Sequence, residues 1–95
     1  MADKALKKTS IFPLIIRSAN QMGNAIRRMR KLQNLSQTQL AQKTGLTQAT
    51  ISRLEKGTQK AETGTLILIL SALNADLTIN ARPKPNLKDD LEALF

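Results

Sequence analysis

The sequence of 95 residues contains no cysteine, histidine, tryptophan or tyrosine. Without cysteine the chain has no disulfide framework and no thiolate metal site, which agrees with a reducing cytosol. Without histidine it also lacks the side chain that most often acts as a general acid or base near neutral pH. Asp89 and Asp90 are adjacent carboxylates, but they lie in an acidic tail, and we interpret them as solvating charges. We therefore predict no enzyme, no metal site and no cofactor.

Long hydrophobic runs are absent as well. The longest unbroken apolar run, 66–70, has five residues, whereas a membrane span needs about 20. The basic start of the chain is followed by the apolar stretch 11–16, which is too short for a secretory leader and is interrupted by Pro13. We therefore expect a soluble, cytoplasmic protein without a signal peptide.

Acidic residues are scarce, and their distribution is uneven. Fifteen Lys and Arg residues stand against seven Asp and Glu residues, so the formal net charge is +8. Residues 1–60 carry twelve basic and two acidic side chains, whereas residues 61–95 carry three and five. The first part of the chain should therefore attract polyanions such as nucleic acids. The length suffices for one small core, and we expect one folded domain.

A helical pattern begins after Ser18. Ser18 and Gln21 have the spacing of a capping box, in which each side chain satisfies a backbone N–H of the other residue. Apolar residues then recur at helical spacing, and the resulting prediction is a helix over about 19–33. Its apolar positions are Met22, Ala25, Ile26, Met29 and Leu32.

Two shorter helical patterns follow in the stretch SQTQLAQKTGLTQATISRLEKG, residues 36–57. Ser36 and Thr47 are suited to cap the two helices, and Gly45 and Gly57 can adopt the positive φ that ends a helix. A helix-turn-helix needs this tight glycine turn and apolar side chains that face a shared core. The apolar positions of the stretch are Leu40, Ala41, Leu46, Ile51 and Leu54. The polar or small residues of the last helix lie away from this core and would face a DNA major groove.

The sequence after residue 62 does not decide between a helix and a strand. The run TLILILSAL, residues 65–73, is compatible with a buried strand or with a fourth helix from Thr63 or Thr65 to about Asn74. Residues 77–82 alternate between apolar and polar, which predicts a half-buried strand. A single strand is not stable alone, so its partner would be the extended stretch 11–17 or the same strand of a second copy. The apolar residues of this dimer strand are Leu77, Ile79 and Ala81.

These patterns predict a mainly α fold, with four to five helices and a short C-terminal β-strand. Residues 1–17 would form a basic arm and a short extended segment. Residues 18–83 would form the helix-turn-helix domain that binds DNA and dimerises. Pro83 and Pro85 would separate it from residues 84–95, which we predict to be a flexible acidic tail.

Residues 37–56 resemble the helix-turn-helix of the phage-repressor or Xre group, and the resemblance extends over about residues 19–74. Within that group the sequence is most similar to the HipB antitoxins of HipBA toxin–antitoxin modules. Three features carry this similarity: the opening TQATIS of the recognition helix, which is the second helix of the motif; a strand after the fourth helix in place of a fifth helix; and the lack of a second domain.

The resemblance implies roles for residues of the motif. In the family the first residues of the recognition helix read base edges, and these correspond to Gln48, Ala49 and Ser52. A glutamine amide can bond an adenine edge twice, and an alanine methyl can contact a thymine methyl. The family also pairs an arginine of the first helix with a glutamate near the end of the recognition helix, here Arg30 and Glu55. Phosphate contacts are expected from Gln37, Thr47, Arg53, Lys56 and Lys60.

Two classes of function follow, and both can hold for one protein. The first is a sequence-specific transcriptional repressor that binds palindromic operator DNA as a homodimer. The second is an antitoxin that holds a HipA-like serine/threonine kinase toxin, for which the tail residues Leu91, Leu94 and Phe95 are the candidate contacts. The alternative is a free-standing phage-type transcriptional regulator without a toxin partner.

Overall fold

The computed structural model describes residues 11–82 and 91–94. Four helices follow one another in this part of the chain: α1 (Ala19–Leu32), α2 (Gln37–Thr44), α3 (Gln48–Lys56) and α4 (Thr63–Ala72). Helix α3 packs against both α1 and α2, and α2 also packs against α4. The predicted mainly α fold is confirmed, and α2 and α3 form the helix-turn-helix pair.

Local side-chain chemistry explains where the helices of the motif begin and end. The Ser36 side chain accepts a hydrogen bond from the Gln39 backbone N–H, and the Gln39 side chain accepts one from the Ser36 N–H, so α2 opens with a capping box. Thr47 caps α3 through the Thr50 N–H. Gly45 and Gly57 end the two helices at φ values of 74° and 72°, a left-handed conformation that favours glycine.

The start of α1 differs in one detail from the predicted capping box. The Ser18 hydroxyl accepts a hydrogen bond from the Gln21 N–H at 3.1 Å, as expected. The Gln21 side chain, however, accepts from the backbone N–H of Arg17 and not from that of Ser18. The reciprocal bond is thus displaced by one residue, because the chain before α1 turns its Arg17 N–H toward the helix.

The crossing of α1 and α3 depends on Gly23. A Cβ atom built at this position would lie 2.4 Å from the Leu54 carbonyl oxygen and 2.5 Å from that of Glu55. These distances are far below a van der Waals contact, so any side chain at position 23 would push the two backbones apart. Glycine is therefore required where α1 crosses the end of α3.

The apolar run after residue 62 forms α4, which decides between the two predicted alternatives in favour of the helix. Ile69, Leu70 and Leu73 are buried, whereas Ile67 and Leu68 remain exposed on the opposite side. The helix ends before Asn74, which has a positive φ of 56°. A helix rather than a strand results because these buried side chains complete the core beneath α2.

One core joins all four helices. The residues that α2 and α3 turn inward are those that the helix-turn-helix spacing predicted, and α1 and α4 close the core on either side. Its largest fully buried side chains are Ile26, Leu40, Ile51, Ile69 and Leu73. The core holds α3 against α1 and α2 and leaves the start of α3 at the surface.

The predicted C-terminal strand is not formed within one copy. The described residues contain no β-strand, and no backbone hydrogen bond in them joins 75–82 to the stretch 11–17. Leu77 is 51% exposed and Ile79 is 99% exposed. Within the described residues of one copy, the segment 75–82 therefore forms no ladder with the stretch 11–17.

The predicted tail is described only in part. Residues 83–90 and residue 95 lie outside the described residues, so the prediction for Phe95 is not addressed by the structure. Residues 91–93 have helical backbone, and Leu91 and Leu94 are exposed.

Candidate nucleic-acid interface

The start of α3 presents the residues for which base reading was predicted. Gln48 and Ala49 are the first two residues of the helix and are exposed, and Ser52 follows one turn later and is half-buried. Ile51, Leu54 and Glu55 are the buried residues of the helix. The first turn of α3 therefore projects from the domain on a short, firmly held helix, as insertion into a major groove requires.

A buried ion pair holds the other end of α3. Arg30 and Glu55 are 8% and 6% exposed, and their Nε and Oε2 atoms lie 2.7 Å apart. A second hydrogen bond from Arg30 to the Glu55 Oε1 is 3.0 Å long, which makes the contact bidentate. Arg30 also donates to the Leu35 carbonyl at 2.8 Å. The pair thus ties α1, the loop after it and α3 together, as the predicted pairing requires.

Gln37, the first residue of α2, lies between this ion pair and the exposed end of α3. Its Nε2 donates to Glu55 Oε1 at 3.1 Å, and its Oε1 accepts from Gln48 Nε2 at 2.6 Å. Gln37 is half-buried. The structure therefore brings one predicted phosphate-binding residue, one predicted base-reading residue and the predicted ion pair into a single hydrogen-bonded set.

The other predicted phosphate-binding side chains surround α3. Thr47, Arg53, Lys56 and Lys60 are all exposed. The Thr47 hydroxyl is within hydrogen-bond distance of the Thr50 hydroxyl, at 2.9 Å. Three of these side chains are positively charged and lie on or just after α3. They give this side of the molecule a positive electrostatic potential, which attracts the negatively charged DNA backbone.

Arg53 has a partner that sequence reasoning did not identify. Its Nε donates to the Gln59 Oε1 at 2.7 Å, and its carbonyl accepts from the Thr58 hydroxyl at 3.2 Å. Gln59 lies in the loop after α3, six residues away, so no helical spacing links the two side chains. Among residues 11–82 and 91–94, no hydrogen-bond partner is found for the terminal nitrogens of the guanidinium, whereas its Nε is held in place.

A groove lies on another part of the molecule, beside the predicted dimer strand. It has a volume of about 660 Å³ and runs between the stretches 12–17 and 75–82. Met22, Ala25, Met29 and Leu70 also line it. Leu77, Ile79 and Ala81 belong to one of its edges and are exposed in the single copy.

Neither a metal centre nor a membrane segment is found in the described part of the chain. Within residues 11–82 and 91–94, no group of three or more His, Cys, Asp or Glu side chains is placed to hold a metal ion. None of the helices in these residues is long and apolar enough to cross a lipid bilayer.

Comparison with known proteins agrees with this geometry. A helix-turn-helix family model matches residues 26–80, which is more than half of the chain. Antitoxin HipB of Escherichia coli O6:H1 is 35% identical over 81 residues, which cover 81% of this chain and 86% of the relative. Antitoxin HipB of Escherichia coli K12 is 33% identical over 81 residues, with 81% and 92% covered.

Solved structures give the same result. HipB in a complex of HipA, HipB and O2–O3 superposes with a TM-score of 0.65 at 33% identity, covering 74% of this chain and 97% of that chain. A HipB variant bound to an O2 20mer also superposes with a TM-score of 0.65 at 33% identity, covering 74% and 96%. The chain therefore belongs to the helix-turn-helix family and, within it, to the HipB antitoxins.

Proposed function

We propose that this protein is a sequence-specific transcriptional repressor that serves as the antitoxin of a toxin–antitoxin module. It binds palindromic operator DNA as a homodimer and holds a HipA-like serine/threonine kinase toxin. The observation that carries the proposal is the exposed first turn of α3, with Gln48 and Ala49 at its tip and a buried Arg30–Glu55 pair beneath it.

The DNA-binding part of the proposal is supported by shape and by charge. A short helix that projects its first turn suits a major groove, and the basic residues around it suit the adjacent phosphates. Arg53, Lys56 and Lys60 are exposed beside the reading residues. Base contacts by Gln48, Ala49 and Ser52 would supply sequence specificity, while the basic residues would supply most of the affinity.

The kinase-binding part rests on the relatives. The similar HipB chain lies in a complex with HipA, and this chain covers 97% of that chain. We propose that the partner here is a kinase of the same kind and that this protein itself has no catalytic activity. A cytoplasmic location fits both partners, because operator DNA and a kinase toxin are present there.

The homodimer is supported by apolar residues that one copy leaves uncovered. Ile79 is almost fully exposed at the edge of the groove, and Leu77 is half exposed. Pairing of residues 76–82 between two copies would satisfy their backbone groups and cover these side chains, together with the exposed side of α4. The two-fold axis would then place two α3 helices about one turn of DNA apart, or a multiple of it.

The test is purification of the full chain from its native cells with everything bound to it. We expect a stoichiometric kinase-like protein and a duplex with two inverted half-sites to be recovered. Recovery of operator DNA without a kinase would favour the free-standing regulator. Recovery of neither would contradict the proposed function.

A further inference from the structure

The first wall of the groove, the stretch 12–17, has the side-chain pattern of a strand. Half-buried and exposed residues alternate along it without interruption. The half-buried residues, which pack against the core, are Phe12, Leu14 and Ile16. Ile15 lies between two of them and is 63% exposed. A period of two is that of an extended chain with one face on a core, so the first wall presents an apolar face inward.

The second wall, the segment 75–82, has the same pattern. The Asn80 Nδ2 donates a hydrogen bond of 3.3 Å to the Thr78 Oγ1, so these two side chains lie on one side of the segment. Leu77, Ile79 and Ala81 alternate with them and in strand geometry lie on the other side. Leu77 is 51% exposed and Ile79 is 99% exposed. The second wall therefore carries an apolar face that the described residues of one copy leave largely uncovered.

Between the two walls the groove is lined by apolar side chains of the helices, namely Met22, Ala25, Met29 and Leu70. In residues 11–82 and 91–94, no backbone hydrogen bond crosses the groove from one wall to the other. A strand inside a sheet needs an extended neighbour on each side and an apolar layer beneath its alternate side chains. The groove provides both, and it therefore has the form of a site for one further strand.

The part of the sequence that suits this site best is the segment 77–81, because its apolar residues alternate and each residue has a backbone N–H. The apolar residues of 1–10 occur in adjacent pairs, among three lysines. Residues 83–90 contain two prolines, which lack an N–H, and a single large apolar residue, Leu87. Since 77–81 already belongs to one wall of its own groove, the strand that enters the groove must come from a second copy.

We propose that residues 77–81 of a second copy lie in this groove as a strand, between the stretch 12–17 and the segment 75–82. By two-fold symmetry each copy fills the groove of the other. The dimer then contains a four-stranded sheet, with the two 77–81 strands at its centre and the two 12–17 strands at its edges. Pro13 suits an edge strand, where its missing N–H can face solvent. The inference rests on the proposed homodimer and deepens it, because it makes the stretch 12–17 a second part of the interface.

The direction of the new hydrogen bonds follows from Arg17. Its backbone N–H donates to the Gln21 side chain at the start of α1. In a strand, successive residues direct their backbone groups to alternate sides. The N–H of Ile15 then points to the same side as that of Arg17, and the N–H groups of Leu14 and Ile16 point to the opposite side. Leu14 and Ile16 are therefore the residues that would pair with the inserted strand.

Proline substitutions in the full chain test this direction, because each removes one N–H. Ile16→Pro should raise the dimer dissociation constant roughly tenfold above that of Ile16→Ala, since the dimer loses one hydrogen bond in each copy. Ile15→Pro is the matched control, and its dissociation constant should stay within about threefold of that of Ile15→Ala. The alanine variants account for the lost side chains. Sedimentation equilibrium measures the four constants, and circular dichroism establishes that each variant is folded.

A second measurement observes the contact in the unsubstituted protein. Dimers are formed from one isotope-labelled and one unlabelled copy, and isotope-filtered NOE spectra then report only contacts between copies. We expect cross-peaks from Leu14 and Ile16 of one copy to residues 77–81 of the other, in addition to those between the two 77–81 strands. The partner's Ile79 should also give cross-peaks to Met22 or Met29, which line the groove.

The possible failures are distinguishable. If the protein is a dimer but the filtered spectra show no contact from 12–17 to the other copy, the inserted strand is overturned and the proposed homodimer stands. The same holds if the groove is filled by residues of its own copy, or if Ile16→Pro associates as tightly as Ile16→Ala. If the unsubstituted protein is monomeric at micromolar concentration, the proposed homodimer is wrong and the inference falls with it.

Discussion

Glu55 is a buried carboxylate on the helix that would meet DNA phosphates, and its burial is tolerable only because of Arg30. A buried charge without a partner is expensive, whereas a paired and hydrogen-bonded one can be accommodated. Gln37 supplies a further hydrogen bond to the same carboxylate. The ion pair therefore holds α3 in place. Loss of either residue would leave the other charge buried and unpaired, which would lower the stability of the fold.

Arg30→Ala should lower the free energy of unfolding by about 3 kcal/mol, because it leaves Glu55 buried and unpaired. Chemical denaturation followed by circular dichroism measures the loss. Lys31→Ala, an exposed neighbour on the same helix, is the control and should change stability by less than about 0.5 kcal/mol. Adding Glu55→Gln to Arg30→Ala should recover part of the loss, and additive losses would show that the two residues do not interact.

Base-reading and phosphate-binding residues should respond differently to substitution. Gln48→Ala should reduce the discrimination between operator and random DNA by roughly 1 to 3 kcal/mol per half-site, since a base-edge contact is lost. Lys56→Ala should weaken binding to both kinds of DNA alike and reduce the salt dependence, since a phosphate contact carries no sequence information. Titrations at several salt concentrations measure both effects. Equal weakening of both DNAs by Gln48→Ala would contradict its assignment.

Single residues of the site were predictable to different extents. Arg30 and Glu55 could be paired because the family motif fixes both positions and Glu55 is one of two acids in the first 60 residues. The contact between Gln37 and Gln48 was not predicted, since the residues are eleven positions apart and meet only through the crossing of α2 and α3. The Arg53–Gln59 contact was missed for a similar reason, because the path of a loop determines it.

Among the elements, the crossing of α1 and α3 has the least tolerance for change. The backbone of α3 lies directly over Gly23, where an added Cβ would overlap two carbonyl oxygens. Backbone atoms cannot move aside as the end of a long side chain can. The orientation of α3, and with it the direction in which the reading residues point, therefore depends on a residue that touches no DNA.

Gly23→Ala should lower the free energy of unfolding by about 3 kcal/mol or more, because overpacking at this crossing strains two helix backbones. Gly64→Ala is the matched control in α4, where an added Cβ meets nothing within 4 Å. It should raise stability by up to about 1 kcal/mol, since alanine favours a helix. Thermal and denaturant unfolding of both variants provide the comparison. Equal effects of the two substitutions would show that the crossing is not tight.

The elements themselves were predictable where local chemistry decides them. Ser36, Thr47, Gly45 and Gly57 mark the ends of α2 and α3 because capping depends only on neighbouring residues. The nature of α4 could not be decided, since a short apolar run has no distinctive period and only its packing against the core selects a helix. The need for glycine at position 23 was not predicted, because the sequence does not show which helix packs across that position.

At the scale of the whole molecule, the segment 75–82 leaves the apolar side chains of Leu77 and Ile79 exposed in one copy. Its apolar residues alternate as in a strand, yet the described part of the chain offers them no ladder partner. The strand predicted from this alternation is not formed in the described residues of one copy, since a strand needs a ladder partner that the sequence pattern does not identify. The groove of about 660 Å³ beside this segment is apolar where Met22, Met29 and Leu70 line it.

Ile79→Asp should weaken self-association at least tenfold, because each copy would bury a charge in place of an apolar side chain at the proposed dimer strand. Asn80→Asp is the control, since it adds the same charge on the alternate face of a strand. Sedimentation equilibrium measures both variants. A monomeric unsubstituted protein at micromolar concentration, or equal effects of the two substitutions, would contradict the proposed dimer.

The tail should contribute to binding of the kinase and not to binding of DNA. Its Leu91 and Leu94 are exposed and available to a partner, and its acidic residues would be repelled by phosphate. Deleting residues 86–95 should therefore reduce affinity for the kinase and leave operator affinity unchanged. The substitutions Leu91→Ser and Leu94→Ser, which keep length and charge, should reproduce the loss. Unchanged kinase affinity in titration calorimetry would contradict this role.

Ile79, 99% exposed in one copy, also affects how repression depends on protein dosage. Because each copy carries one reading helix, two copies must associate before both half-sites can be occupied. At concentrations below the dimer dissociation constant, operator occupancy then rises with the square of the amount of protein, so a twofold fall in supply lowers it about fourfold. In the proposed dimer, repression would therefore be released abruptly and not gradually, and the strength of the contact at residue 79 would set the protein concentration at which this occurs.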